Sequence, residues 1–188
     1  KRKILKMGES LNSKVQKDMI RGLADYVEII NTNLRQSCFE LYPYLLHEIG
    51  LVHSVKKYIR QENIDHAFEM ELTTFNEEII EEAAAETKKH IFRIIQELLN
   101  NAKKHSNAAK VVIRLTAEHE HIKLFYEDDG VGYDMNQKKN TEIGKSGMGL
   151  EQMRTRILYV GGSLQVETAK GSGAKYEILI PLKKERSA

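Results

Sequence analysis

Two glycine pairs constrain this chain of 188 residues more than any other feature. The first, in "EDDGVGYD" at 127–134, ends a run, "IKLFYED" at 122–128, that reads as a β-strand. The second, in "GMGL" at 147–150, opens an apolar run that reads as a helix from 149 to 160 and stops at Gly161 and Gly162. Glycine lets a backbone approach a neighbour closely or take positive φ. Either pair alone reads as an ordinary turn. Together, with a polar interval between them, they read as two walls of one pocket.

The rest of the chain supplies the frame. From residue 11 to about 39, apolar residues recur as Leu11, Val15, Met19, Leu23, Val27, Ile30 and Leu34. Steps of three and four make one narrow stripe on a long helix, a pattern that suits packing against partner helices. Pro43 ends it, and a second amphipathic helix near 51–61 carries Leu51, Val55 and Ile59. Then the period changes. "AFEMELT" at 67–73, "KVVIRLTA" at 110–117, "SLQVETA" and "AKYEILIPL" read as strands, with one long helix or two in succession at 77–105. Residues 133–146 lack periodicity and read as a loop. The expected architecture is an α+β two-layer sandwich at 63–183, preceded by a helical region at 1–62 and followed by a tail at 184–188.

Composition excludes several classes. Lys and Arg total 29 against 27 Asp and Glu, so charge gives no reason to expect nucleic acid or a membrane surface as partner. The single Cys38 forms no internal disulfide, which fits a cytoplasmic location. No apolar run approaches the roughly 20 residues of a membrane span. The start "KRKILK" suggests a piece of a longer protein.

A third block completes the pocket. In "HIFRIIQELLNNAKKHS", Ile91, Ile94, Ile95, Leu98, Leu99 and Ala102 form a buried stripe. At 100° per residue, Glu97, Asn101 and Lys104 line one edge of it. Such an edge alone reads as a solvated flank. Asn101 is the odd member, because asparagine is a weak helix former, and its amide oxygen suits a hard cation such as Mg²⁺. Asp128 stands at a strand end, where a sheet presents it to a crevice. Gly147 and Gly149 at a helix N-terminus offer free N–H groups and a positive dipole end to phosphate.

In this order the blocks resemble the ATP-binding domain of the gyrase, Hsp90, histidine-kinase and MutL superfamily (the Bergerat, or GHKL, fold). "QELLNNAKKHS" looks like its N box, and "DDGVG" and "GMGL" like its two glycine boxes. The flanks "LRQSCFELYPYLLHEIGLVHSVKKYI", "MRTRILYVGGSLQVET" and "GSGAKYEILIPL" resemble sensor histidine kinases related to NarX, DesK and ComP, two-component proteins whose ComP-like members serve quorum sensing. The resemblance implies a function. ATP binds with Mg²⁺, its γ-phosphate passes to a histidine on a dimerisation helix, and a response regulator's aspartate then receives it. The kinase works as a homodimer, anchored in the membrane upstream.

The resemblance also implies roles. Asp128 accepts a hydrogen bond from the adenine amino group, with Gly130 and Gly132 beside the base. Asn101 ligates Mg²⁺, and Lys104 and His105 touch phosphate oxygens. Glu97 positions or deprotonates the nucleophile. Gly147, Met148, Gly149 and Leu150 supply the phosphate-side backbone, with 133–146 closing as a lid.

Two departures matter. "LNSKVQKD" at 11–18 echoes the phosphoacceptor motif with Asn12 in place of histidine, too near Pro43 for a full helical hairpin. The acceptor helix is therefore expected to be absent and the chain unable to label itself; His47 is expected to be structural. Ala174 stands where relatives often have threonine, so a hydroxyl near the adenine is expected to be missing. Two other functions compete: an anti-sigma-type serine kinase, against which the helical region argues, and a non-catalytic ATP-sensing dimerisation module.

Overall fold

The computed structural model describes residues 18–20, 22–23, 26–27, 46–65, 68–134 and 148–182. The chain divides into two compact units, Lys1–Leu45 and Leu46–Ala188. In the first, the described residues are helical, and Met19 and Leu23 of the expected stripe are exposed. Val27 is half-buried; the remainder of that stripe, Cys38, Pro43, Gly147, the tail and nearly all of the expected lid lie outside the described residues.

The second unit begins upstream of the boundary near 62 suggested by the sequence, and helix α1 (Leu51–Asp65) is the reason. Its expected stripe of Leu51, Val55 and Ile59 is buried, joined by Val52 and Tyr58. Both of its ends are tied down. The Glu81 carboxylate accepts hydrogen bonds from the Leu51 and Val52 N–H groups at 3.0 and 2.8 Å, which satisfies orphan donors at the positive end of the helix dipole. At the other end, Asn63 pairs with both backbone groups of Met70, at 3.0 and 3.2 Å, and Glu62 pairs with Lys103.

Five strands follow in the sheet order β1-β2-β3-β5-β4. Strand β1 (Glu69–Phe75) runs parallel to β2 (Lys110–Glu118), and β3 (His121–Asp128), β5 (Ala174–Pro181) and β4 (Ser163–Thr168) are antiparallel neighbours. Strand β1 starts two residues later than expected, in a register that pairs Met70 with Val111 and buries it. Alternation sorts the two faces. Val111, Ile113 and Leu115, Ile122, Leu124 and Tyr126, and Tyr176, Ile178 and Ile180 are buried on one face. The other carries opposite-charge pairs, Lys110–Glu71, Lys123–Glu177 and Lys175–Glu127, with Arg114 over the Phe125 ring. Such exposed pairs add little stability and keep that face wet.

Of the two readings of 77–105, one long helix or two in succession, the second holds. Short α2 (Glu77–Glu81) gives way at Ala83 and Ala84 to α3 (Ala85–Asn101), with Ala84 in an extended conformation. The α3 stripe is buried residue for residue as expected, from Ile91 to Ala102. Each fully buried Ile or Leu contributes roughly 1.5–3 kcal/mol. Helix α4 (Met148–Tyr159) buries Met153 and Ile157. The architecture is the expected two-layer α+β sandwich around a mixed sheet.

Candidate functional site

The end of β3 builds one wall. Period two places Tyr126 and Asp128 on the buried face, and Asp129 on the other. The two acids of "DDG" thereby take different tasks. Asp129 Oδ1 accepts hydrogen bonds from the Lys110 and Ala109 N–H groups at 2.9 and 2.8 Å. Those bonds, led by that of Lys110, hold its carboxyl below the usual carboxylate range. Asp128 is 6% exposed; Oδ1 accepts from the Gly130 N–H at 3.0 Å and Oδ2 from the Tyr126 hydroxyl at 2.8 Å.

Glycines lock this wall to its neighbours. A Cβ on Gly130 would lie 2.3 Å from the Ser106 carbonyl oxygen, where Val131 donates its own N–H at 2.8 Å. Gly132 and Gly173 both have positive φ, and a Cβ on them would meet the carbonyl oxygens of Ala169 at 2.0 Å and Asp128 at 1.9 Å. The Gly173 N–H donates to Gly130 O at 2.9 Å, and the Thr168 hydroxyl accepts from the Tyr133 N–H at 3.1 Å. The first glycine box is thus sewn to the β4–β5 turn.

The second wall is helical. After Asn101 the helix widens into a π turn, Ala102–Ser106, ended by Asn107 in the left-handed region. A π turn takes more residues per revolution than an α turn, so it breaks the expected line of Glu97, Asn101 and Lys104. His105 lines the pocket, while Lys104 is exposed and outside its lining. Lys103 turns away to Glu62, 5.8 Å from the centroid of the Tyr58 ring. Glu97 and Asn101 face the start of α4: a Cβ on Gly149 would lie 2.0 Å from Glu97 Oε1 and 3.6 Å from Asn101 Oδ1.

Between the walls lies a cavity of about 240 Å³. Asn101, His105, Asp128, Gly132 and Leu150 of the expected residues line it. Gly130 acts from behind through its N–H on Asp128, and Glu97 stands beside Gly149. Met148 opens α4, one residue before the expected start at 149, and its side chain lies outside the described residues. His47 is a surface side chain 3.7 Å from Glu48, not the structural residue expected. Three tyrosines escaped the sequence reading. Tyr126, Tyr133 and Tyr176 all line the cavity, with the Tyr133 and Tyr176 hydroxyls 2.9 Å apart. The alternation that points Asp128 inward also points Tyr126 inward, two residues before it.

The fold agrees with comparisons to known proteins. Residues 86–184 match the family described as histidine kinase-, DNA gyrase B- and HSP90-like ATPase. The chain is 40% identical over 148 residues to the sensor histidine kinase ComP of Bacillus subtilis, covering 79% of this chain and 19% of ComP. It is 28% identical over 169 residues to the sensor protein VraS of Staphylococcus epidermidis, covering 88% of this chain and 47% of VraS. It thus spans about a fifth and about half of these two relatives. In fold it resembles the Erythrobacter litoralis EL346 blue-light activated histidine kinase, with a TM-score of 0.58 at 19% identity, covering 96% of this chain and 56% of that one. No helix among the described residues is long and apolar enough to cross a membrane. With a matching domain over more than half its length and sensor kinases as its relatives, the chain belongs to the histidine kinase-, DNA gyrase B- and HSP90-like ATPase family.

Proposed function

We propose that this chain is the ATP-binding catalytic portion of a sensor histidine kinase, passing the γ-phosphate of ATP to a histidine on a dimerisation-type helix for relay to a response-regulator aspartate. The observation that carries it is the buried Asp128 carboxylate on the cavity wall, with Asn101 and His105 across the same cavity. A carboxylate has only acceptor oxygens to offer, which complements the adenine amino group.

The residues present fit a magnesium nucleotide. Among the described residues no three His, Cys, Asp or Glu side chains group around one point, so a metal here would draw on one carboxamide, phosphate oxygens and water. Asn101 Oδ1 is the protein ligand in this scheme; bound Mg²⁺ supplies charge neutralisation for the phosphates. His105 reaches the phosphates from the π turn, and the start of α4, with Gly149, gives N–H groups and the positive end of its dipole. Lys104, exposed beside the site, adds long-range attraction only. In the transfer a bond forms between an imidazole nitrogen and the γ-phosphorus, and the bond to the ADP oxygen breaks. Glu97 orients that imidazole and accepts its proton. Positioning and charge neutralisation carry most of such a reaction.

The test is phosphotransfer to a separately supplied acceptor domain. Acid-labile label should appear on the acceptor, require Glu97, and be absent from this chain, none of whose seven histidines stands in the acceptor motif. Label on serine would favour a serine kinase. Binding of ATP without transfer would favour a non-catalytic sensor.

A further inference from the structure

The Asp128 carboxylate is held by two donors, one on each oxygen, and one of them is a side chain for which no role has been assigned. We propose that Tyr126 is a positioning residue for recognition of the nucleotide base: its hydroxyl fixes Asp128 so that the remaining lone pairs of the carboxylate face the cavity. The role rests on reading Asp128 as the acceptor for the base amino group.

The geometry leaves Tyr126 little freedom. Its ring is 1% exposed and packs edge-to-face on Tyr176, with centroids 5.5 Å apart and an interplanar angle of 75°. The hydroxyl lies 2.8 Å from Asp128 Oδ2, while the Gly130 N–H holds Oδ1. Two donors from fixed frames stop rotation of the carboxylate about its last bond. A carboxylate has about four lone-pair positions, so about two remain for a ligand.

No other side-chain hydroxyl among the described residues serves Asp128. Its partner across the β3–β5 ladder is Ala174, which has none, and the Tyr176 hydroxyl is engaged with Tyr133. The hydroxyl that the resemblance led one to expect at position 174 therefore reaches Asp128 from position 126, along the same strand. Burial first, and then the Asp128 charge, push the Tyr126 hydroxyl well above the usual tyrosine range. It stays protonated, donates to the carboxylate, and leaves only acceptors facing the cavity.

Calorimetric titration of the whole chain with ADP and with purine riboside diphosphate, which lacks the six-amino group, tests this directly. The unmutated chain should prefer ADP. Tyr126→Phe keeps the ring and removes the hydroxyl; it should weaken ADP roughly fivefold to tenfold and the deaminated analogue less than about twofold. The ratio of the two affinities is read on one protein, so a partial loss of folded chain cancels. Adding Ala174→Ser to Tyr126→Phe should restore at least half of the lost ratio. A preference for ADP that survives Tyr126→Phe unchanged overturns the role of Tyr126 alone. Equal affinity of the unmutated chain for the two nucleotides overturns the Asp128 assignment, and the proposal with it.

Discussion

The two walls of the cavity use glycine for opposite reasons. On the sheet side, Gly130, Gly132 and Gly173 face backbone carbonyls of Ser106, Ala169 and Asp128, which have nowhere to go. On the helix side, Gly149 faces the far end of the Glu97 side chain, which is free to swing. The same residue type therefore serves folding on one wall and chemistry on the other. The polar contacts divide likewise. Both Asp128 oxygens already have protein donors, whereas the side chains of Glu97 and Asn101 make no hydrogen bond with other described residues. One wall is finished before a ligand arrives, and the other is completed by it.

The sharpest way to break this contrast is to put a methyl group on each wall. Gly132→Ala and Gly173→Ala should each cost about 2–5 kcal/mol of stability, combining roughly 1–2 for the left-handed backbone with roughly 1–3 for the displaced carbonyl. Urea denaturation reads this, and a change under about 0.5 kcal/mol would erase the distinction.

Nucleotide choice comes next in size. Guanine presents a carbonyl where adenine presents an amino group, so an acceptor would face Asp128 in a partly dry pocket. An unpaired buried acceptor costs about 1–3 kcal/mol, or roughly tenfold to a hundredfold in affinity. GTP at equal concentration should leave bound ATP in place, and displacement of half of it would remove Asp128 from base recognition.

On the helix wall the loss should appear in binding instead of folding. Asn101→Ala should weaken Mg-ATP about tenfold or more, with the unfolding free energy unchanged within about 0.5 kcal/mol, since the side chain lies at the edge of the core. Equal affinity for Mg-ATP in calorimetry would take Asn101 out of the site. Gly149→Ala is the counterpart to the sheet-side glycines. Alanine suits a helix better than glycine by up to about 1 kcal/mol, so stability should hold or rise slightly while transfer to the acceptor domain falls through displacement of Glu97. A variant that loses stability and keeps its transfer rate would reverse the assignment.

The smallest effect is a dependence on pH, with one titrating residue in the helix layer and one at the end of β3. On the helix side, burial, aided by Arg156 and Lys89 and opposed by Glu86, lowers the His90 pKa below its ordinary value. The unfolded chain then binds the proton first, so this contribution is present above about pH 6.5 and declines as pH falls below it. On the sheet side, the lowered pKa of Asp129 gives a contribution present above about pH 4 and lost as pH falls through its folded value. His90→Asn should flatten the unfolding midpoint between pH 7 and 5.5 and leave the acid limb below pH 4 in place. A midpoint that declines equally in both proteins would clear His90.

What was legible in the sequence was local. The α3 stripe from Ile91 to Ala102 and the inward face of β3 follow from periods of 3.6 and 2, and the walls followed from glycine placement. Contacts between distant residues were not legible. Nothing near Leu51 announces that Glu81 will cap its helix, so α1 read as part of the helical region at 1–62. The break at Ala83 and Ala84 falls among alanines, the best helix formers, where propensity points the wrong way. Tyr126 was within reach, since the alternation that selected Asp128 selects it too; a tyrosine on a buried face simply reads as core.

The π turn at Ala102–Ser106 gives the helix two phases. Up to Asn101 its angular register is set by core packing, through the buried Ile94, Leu98 and Leu99; beyond it, by the glycine loop, through the Ser106 carbonyl that receives Val131. An unbroken α-helix has one phase and has to compromise between the two. The extra residue works as a vernier, letting core packing and loop anchoring be adjusted separately. Removing one residue from 102–106 would rewind the turn to α geometry and carry Ser106 out of step with the loop it anchors.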